Sequence, residues 1–264
     1  MKNILFIVFV LHFLISCTSS NNHFTAQQII DKTIASSQMN KIANAKLSFE
    51  FRGRTYTAER NQGNFTLKRI TKSGTETLTD ILSNSGFKRL LNGNPMQVLD
   101  SMTKKYSESV NSVHYFSVLP YGLNDSAVNK KVLPSVTINK KEYHKVEITF
   151  NRDGGGVDFE DIFVYWIEKK QFKIKYLAYQ FHVNGGGKRF REVRKEHLLQ
   201  GVRFADYNNY KPNNPEVDVR GLDKTFEKGG MTKISEIILE NIQLTFSDKQ
   251  RGTDRNNSHL QQTP

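Results

Sequence analysis

The stretch Ile162-Phe163-Val164-Tyr165-Trp166-Ile167, followed after a short turn by Tyr176-Leu177-Ala178-Tyr179, decides the fold class of this chain. Both runs are rich in β-branched and aromatic residues, which favour strands. A strand in an antiparallel sheet with one solvated face alternates between apolar and polar residues, and neither run does. We therefore expect a sheet whose two faces are both covered in this region.

Segments of alternating polarity extend from this pair in both directions and are punctuated by Gly-containing turns. This spacing is typical of short antiparallel strands joined by hairpins. Before the apolar runs, the pattern predicts strands over 46–52, 54–60, 64–71, 75–82 and 86–91. Around and after them it predicts strands over 143–151, 159–168, 172–182, 189–199 and 202–206, and a last alternating segment over 234–246. The chain thus predicts two β-meanders.

Two amphipathic helices are predicted beside these meanders. Thr25 is a suitable N-cap for a helix over 26–36, whose isoleucines form an apolar stripe. Pro95 is predicted to open a second helix, over 98–116, because its fixed φ suits a first turn. We predict an α+β protein in which a curved antiparallel β-meander forms an incomplete barrel covered by these two helices.

The N-terminus resembles the lipobox of signal-peptidase-II substrates. Lys2 provides a positive end, residues 4–15 are apolar apart from one histidine, and Ser16 precedes Cys17, the single cysteine of the chain. The resemblance implies that Cys17 becomes the first mature residue and carries lipid, which makes the membrane a partner. The alternative is an ordinary secretory signal followed by a surface or buried thiol.

These features divide the chain into four parts. We predict a lipoprotein signal peptide over 1–16, a polar tether over 17–24, a single half-barrel domain over 25–247 and a disordered tail over 248–264. A chain of this length can bury one core, and we expect a monomer.

The chain is basic, with a formal net charge of +12 that falls by one when Lys2 is removed with the signal. Such a charge favours anionic lipids and acidic partners. We expect no nucleic-acid partner, because the basic residues are spread through alternating strands instead of forming one arm or helix.

Motifs for catalysis and metal binding are missing from the sequence. It contains no nucleophile elbow, zinc-protease, P-loop or dinucleotide-binding pattern, and its histidines lack ligand spacing. The acidic residues around Gly154-Gly155-Gly156 fit a solvated hairpin loop better than a calcium site. We predict no catalytic residue, metal or cofactor.

Two coverings of the central sheet remain open. Either side chains fill the space beneath the helices, or the curved sheet leaves an apolar cavity for a lipid-like ligand. In the second case the wall has aromatic bodies with polar tips. The predicted wall consists of Tyr165, Trp166, Tyr176, Tyr179 and Phe181.

Arginines give the predicted cavity a polar component. Arg189 and Arg191 lie two apart on one strand, so both leave the same face and can hold one anionic group. Asp161 is expected beside them as a counter-ion. Glu192 points to the other face of the strand and is the second carboxylate expected next to the site. The alternative is that these arginines belong to a solvated outer face and pair with acidic residues across the strands.

Two further functions stay open at this stage. One is an envelope hydrolase in which Asp161 or Glu192 acts as general base beside Tyr165. The other is a scaffold that binds envelope proteins through its basic surface.

Several blocks of the chain resemble an uncharacterised lipoprotein family of Bacteroidota. They are Tyr115–Asp125, Gly154–Trp166, Leu177–Tyr179, Gly187–Glu192 and Gly201–Tyr207. The order helix, meander, helix, meander is also similar to the lipoprotein-carrier (Lol-type) half-barrel, which implies an apolar cavity for acyl chains. The family resemblance implies the cell envelope. Surface-exposed lipoproteins of this phylum tend to resemble one another in having acidic residues soon after the cysteine, and residues 18–22 contain none. The resemblance therefore further implies an outer-membrane anchor facing the periplasm. The expected function is therefore non-catalytic binding of a lipid-like or amphiphilic ligand.

Overall fold

The computed structural model, which describes residues 24–155, 159–182 and 185–247, contains two seven-stranded antiparallel sheets. The first sheet has the order β14-β1-β2-β3-β4-β5-β6, from β1 (Ala45–Phe51), β2 (Arg54–Asn61), β3 (Asn64–Ser73), β4 (Glu76–Ser83), β5 (Gly86–Leu91), β6 (Asn94–Met96) and β14 (Glu240–Phe246). The second has the order β13-β12-β11-β10-β9-β8-β7, from β7 (Val128–Ile138), β8 (Lys141–Phe150), β9 (Ile162–Glu168), β10 (Ile174–Phe181), β11 (Gly187–Leu199), β12 (Val202–Pro212) and β13 (Met231–Ile237).

The chain passes directly from one sheet to the other. It leaves β13 at the edge of the second sheet, crosses through Ile238 and Leu239, and enters β14 at the edge of the first. No ladder of hydrogen bonds joins the two sheets among the described strands. The sheets therefore form an open half-barrel, and the predicted α+β class is confirmed.

Three helices accompany the sheets: α1 (Ala26–Ser36), α2 (Asp100–Ser117) and α3 (Leu222–Glu227). The predicted start and cap of α1 are confirmed. The Thr25 hydroxyl accepts a bond from the Gln28 N–H, and the Gln28 side chain accepts one from the Thr25 N–H. The predicted role of Pro95 is wrong, because Pro95 lies in β6. This is the edge strand of the first sheet, where a residue without an N–H is tolerated.

The prediction that both faces of the central strands are covered is confirmed. On the inner face of the second sheet, Tyr165 and Leu177 pack with Ile29 and Ile30 of α1. On the outer face, the covering element is the segment from Val219 to α3 and not one of the two predicted helices. Helix α2 packs over the first sheet, where Val110 joins the core, and its C-terminal end reaches the inner face of the second sheet.

Two ion pairs hold α3 and the turn before it on the outer face. Lys145 of β8 reaches Asp223 of α3 at 2.9 Å, and both side chains are buried. Arg220, in the preceding 3₁₀ turn, pairs with Glu147 of the same strand. The Lys145 ammonium also lies 5.2 Å from the centre of the Trp166 ring. Alternate residues of β8 thus fix the cover over the central strands.

Strand β7 was not predicted, because its sequence alternates poorly and contains Pro134. It is the edge strand of the second sheet, and its pairing with β8 shifts register between Leu133 and Val136, where the proline lies. An edge and a bulge are the two places where a strand accepts proline.

The predicted signal peptide, Cys17, nearly all of the tether and the tail over 248–264 lie outside the described residues. None of the helices within the described ranges is long and apolar enough to cross a membrane.

Candidate ligand-binding cavity

A cavity of about 420 Å³ lies between the C-terminal half of α2 and the inner face of the second sheet. The β13–β14 crossing contributes Leu239, and the end of β1 contributes Phe51. The remaining wall comes from α2, from strands β8 to β13 and from the loop before β9. It consists of Asn111, Ser112, Val113, Tyr115, Phe116, Ser117, Phe150, Gly155, Asp161, Phe163, Tyr179, Phe181, Arg189, Arg191, Ala205, Tyr207 and Ile237.

Aromatic rings form a continuous apolar wall on one side of the cavity. Tyr179 is at its centre, with ring centroids 5.0 Å from Phe116, 5.5 Å from Phe163 and 5.9 Å from Phe181. Phe116 belongs to α2, whereas the other three belong to β9 and β10. The helix and the sheet therefore build one surface against which an apolar chain can pack.

Strand register explains why these rings share a face with the arginines. Phe163 is directly opposite Tyr179, and Tyr179 is directly opposite Arg189. Arg191 lies two residues further along β11, opposite Leu177. Because side chains alternate with a period of two, all of them point to the inner face.

Arg191 is a buried charged group of this wall, with 8% of its surface exposed. Its Nη2 donates to the Tyr179 hydroxyl at 3.0 Å, and its guanidinium carbon lies 3.8 Å from the centre of the Phe116 ring. Its Nε is buried and has no acceptor among the residues that the structure describes. Within the described part of the chain, no carboxylate forms an ion pair with it.

Arg189 is half-buried and lies nearer the end of β10. Its Nη1 donates to the Lys188 carbonyl at 2.8 Å, and the guanidinium is 5.0 Å from the centre of the Phe181 ring. The predicted shared face of Arg189 and Arg191 is confirmed by the register of β11 with β10. Ligand binding by the two remains a prediction.

Asp161 also lines the cavity, at the start of β9. Its Oδ1 lies 3.3 Å from Nδ1 of His182, at the end of β10. The predicted partner of this carboxylate was the arginine pair, whereas its neighbour here is a histidine.

Tyr165 lies on the inner face but is covered by α2 and does not reach the cavity wall. Its hydroxyl is 3.3 Å from that of Tyr115, which does line the cavity. Burial raises the pKa of Tyr115 to about 12, and burial together with the Tyr115 hydroxyl raises the pKa of Tyr165 well above its usual value. Both phenols are therefore neutral hydrogen-bonding groups at physiological pH.

The structure places Trp166 and Tyr176 on the outer face, so their assignment to the cavity is wrong. They are opposite each other in the β9–β10 pair, and both belong to the core beneath α3. Trp166 directly follows Tyr165, and neighbours on a strand point to opposite faces. The period of two therefore already excluded a wall that contained both.

Glu192 is on the outer face as well, opposite Tyr176, as the alternation along the strand predicted. Its expected position next to the site is wrong, because the sheet separates it from the cavity. Glu192 accepts bonds from the Tyr210 hydroxyl at 3.1 Å and from the Asn208 amide at 3.2 Å. A general base at Glu192 next to Tyr165 is thus ruled out by the sheet between them. Asp161 reaches the cavity, but Tyr165 does not.

The α2 side of the cavity was not predicted. The second helix was predicted to be amphipathic, and Val113 and Phe116 of its apolar stripe line the cavity together with Tyr115 and Ser112. The stripe shows that this face is covered, but not that it covers a void. Tyr207 was missed because β12 extends beyond its predicted end.

Comparison with known proteins gives a family but no activity. The model of DUF6503, a family of unknown function, matches residues 2–240. A search of curated proteins found no match.

Solved structures with a similar chain layout include a LolA superfamily protein from Nitrosomonas europaea. It is 11% identical, with 85% of this chain and 94% of that chain covered and a TM-score of 0.47. A DUF1329 family protein from Desulfovibrio piger is 10% identical, with coverages of 85% and 94% and a TM-score of 0.42. An outer membrane lipoprotein-sorting protein domain from Vibrio parahaemolyticus is 7% identical, with coverages of 87% and 98% and a TM-score of 0.43.

Proposed function

We propose that this chain, which belongs to DUF6503, a family of unknown function, binds one lipid-like or amphiphilic molecule in the cavity without catalysis. The observation that carries the proposal is the aromatic cavity between α2 and the second sheet. At about 420 Å³ it falls within the usual range of small-molecule sites.

Packing physics supports a ligand in this space. Protein interiors are close-packed, and voids larger than a water molecule are few. Here the open side of the half-barrel leaves Phe116, Phe163 and Tyr179 facing unfilled space. Covering these rings with an acyl or similar chain removes their apolar surface from water. This burial stabilises the complex by about 25 cal/mol for each Å² of apolar surface.

Polar groups in the same wall favour an amphiphile over a plain hydrocarbon. Asn111 and Ser112 of α2 are exposed, and Arg189 lies across the cavity wall on β11. A ligand that combines an apolar chain with a polar end satisfies both kinds of surface, as is usual in cavities with few polar groups.

The compartment belongs to the same proposal. The lipobox resemblance around Cys17 supports a lipid anchor in the cell envelope, at the outer membrane and facing the periplasm. The positive net charge is compatible with a position next to anionic headgroups. In this position the cavity would lie next to a membrane, which contains amphiphilic molecules.

The binding role is tested with a fluorescent probe, 1-N-phenylnaphthylamine, whose emission rises in apolar sites. The protein is the exported chain with Cys17→Ser, so that no acyl group of its own competes. We expect saturable binding with one site. Ala205→Phe, which places a ring in the cavity, should weaken binding at least about tenfold.

Ala35→Phe is the matched control, because Ala35 is exposed on α1 and does not line the cavity. It should bind the probe as the parent does. Circular dichroism checks that both variants fold. Absence of saturable binding in the parent, or equal affinity in a folded Ala205→Phe protein, would rule out the cavity as the binding site.

A further inference from the structure

Arg191 carries a buried positive charge that no carboxylate of the described residues neutralises by an ion pair. Of the three other arginines with similarly small exposure, two have carboxylate partners: Arg69 pairs with Asp80 at 2.6 Å, and Arg203 pairs with Glu196 at 3.0 Å. The third, Arg60, lies over the Tyr121 ring and does not line the cavity. The Arg191 guanidinium instead contacts a phenol and an aromatic ring, and its Nε has no acceptor. A buried charge without a counter-ion is costly to the folded state.

The second guanidinium of the same face lies next to it. Arg189 is two residues away, stacks near Phe181 and donates to the backbone of its own neighbour. Among the described residues of the cavity wall, the charged groups are Arg189, Arg191 and Asp161. Two positive charges against one negative charge leave one positive charge without compensation.

We propose that the ligand of this cavity carries a single negative charge, which Arg191 binds with help from Arg189 while the apolar chain packs against Tyr179 and Phe163. The inference rests on the proposed function and narrows it to monoanionic amphiphiles. A guanidinium presents a planar pair of N–H donors that matches a carboxylate or a phosphodiester. Long-chain carboxylates and lipids with one phosphodiester share this chemistry.

The surroundings make Arg191 selective for charge. Phe116 and Tyr179 exclude water from the guanidinium, and an ion pair gains strength as its solvent exposure falls. A neutral head group, by contrast, leaves the buried charge uncompensated. A cationic head group adds repulsion.

The test compares three ligands with the same twelve-carbon chain: dodecanoate, dodecanol and dodecyltrimethylammonium. Each displaces 1-N-phenylnaphthylamine from the exported chain with Cys17→Ser, below the critical micelle concentration. We expect dodecanoate to bind about tenfold or more tightly than dodecanol, which is one decade in the dissociation constant. The ammonium should bind more weakly than dodecanol.

Two arginine variants show whether Arg191 causes the preference for dodecanoate over dodecanol. Arg191→Gln should lose about tenfold in dodecanoate affinity and keep its dodecanol affinity, because only the charge pairing is removed. Arg194→Gln is the matched control: it removes the same charge from the same strand, but Arg194 is largely exposed, pairs with Glu236 and does not line the cavity. It should leave both affinities unchanged.

Folding of Arg191→Gln is itself informative. If Arg191 is a ligand-binding group without a counter-ion, its removal should not lower the melting temperature of the ligand-free protein. If Arg191→Gln fails to fold, Arg191 is structural and the inference is overturned. Arg189→Gln, at a half-buried position, is the second variant. It shows how much of the preference for dodecanoate over dodecanol depends on Arg189.

The outcomes separate this inference from the function it rests on. Equal affinity for dodecanoate and dodecanol would overturn the charge inference and leave amphiphile binding intact. Binding of none of the three would remove the proposed function itself. Displacement of the probe by lysophosphatidylglycerol, by dodecanoate and by acetate is then compared. The strongest competitor shows whether the natural anion is a phosphodiester lipid, a fatty acid, or a small anion without an apolar chain. Displacement by acetate alone would contradict an amphiphile site.

Discussion

Acid should destabilise the fold through His114, whose imidazole is completely buried between α2 and the first sheet. The ring lies edge-on to Phe49 at 5.9 Å and to Tyr56 at 5.6 Å, and Nε2 donates to the Lys68 carbonyl at 3.0 Å. Burial, with a smaller contribution from nearby Arg60, lowers the pKa of His114 to about 4.

The direction follows from which state binds the proton. A histidine in the unfolded chain has a pKa of about 6.5. Above that pH His114 is neutral in both states, so its titration does not change the free energy of unfolding. As the pH falls below 6.5, His114 binds a proton in the unfolded chain, whereas in the folded chain it stays neutral until the pH reaches about 4. Stability is therefore present above pH 6.5 and lost as the pH falls to about 4.

The magnitude follows from the same shift. At about 1.4 kcal/mol for each pKa unit, the full loss is ~3 kcal/mol, of which ~2.5 kcal/mol is reached by pH 4.5. Urea unfolding of the parent and of His114→Gln at pH 7.5 and pH 4.5 measures it. The variant should lose ~2.5 kcal/mol less between the two pH values. An equal loss in both proteins would refute the assignment of acid sensitivity to His114.

Trp166→Ala should lower the free energy of unfolding by about 3 to 5 kcal/mol in urea, because the fully buried ring packs against Phe190 beneath α3; a loss under 1 kcal/mol would contradict its place in the core. Lys145→Ala should cost a similar ~3 to 5 kcal/mol, since it leaves the buried Asp223 carboxylate without its partner. Adding Asp223→Ala should then cost little more, and additive losses in this double-mutant cycle would mean the two groups are not coupled. Cys17→Ala should abolish incorporation of radiolabelled palmitate in growing cells, and persistent labelling would disprove the lipid anchor.

Strand positions were predictable because the hairpins are set by local chemistry. Gln62 and Gly63 adopt φ of 50° and 89°, and Arg52 and Gly53 adopt φ of 50° and 68°. A glycine tolerates this left-handed region, so each glycine marked a two-residue turn in the sequence. Polarity alternated on either side of these turns, and the predicted strands of the first meander agree with β1 to β5 within a few residues.

The outer cover of the second sheet could not be found in the same way. Helix α3 has six residues, too few to show a helical period, and its position depends on the ion pair from Lys145 to Asp223 across distant parts of the chain. The cavity was equally out of reach, because α2 covers the inner face in either interpretation. Whether a space remains between Phe116 and Tyr179 depends on how far the helix lies from the sheet, which no local pattern encodes.

The two faces of β9 were predictable, and the assignment failed for a simple reason. Aromatic content alone grouped Tyr165 with Trp166 and Tyr176 with Tyr179, although the period of two separates the members of each pair. The same rule applied to Arg189 and Arg191 gave the correct shared face.

Native mass spectrometry shows whether the cavity between α2 and the second sheet holds one amphiphile. The exported chain with Cys17→Ser is incubated with a lipid extract of the envelope and sprayed under non-denaturing conditions. We expect one added molecule of lipid-like mass per chain, and a much smaller fraction of this complex for Ala205→Phe. A folded parent protein that gains no mass, or an Ala205→Phe protein that gains as much as the parent, would contradict this expectation.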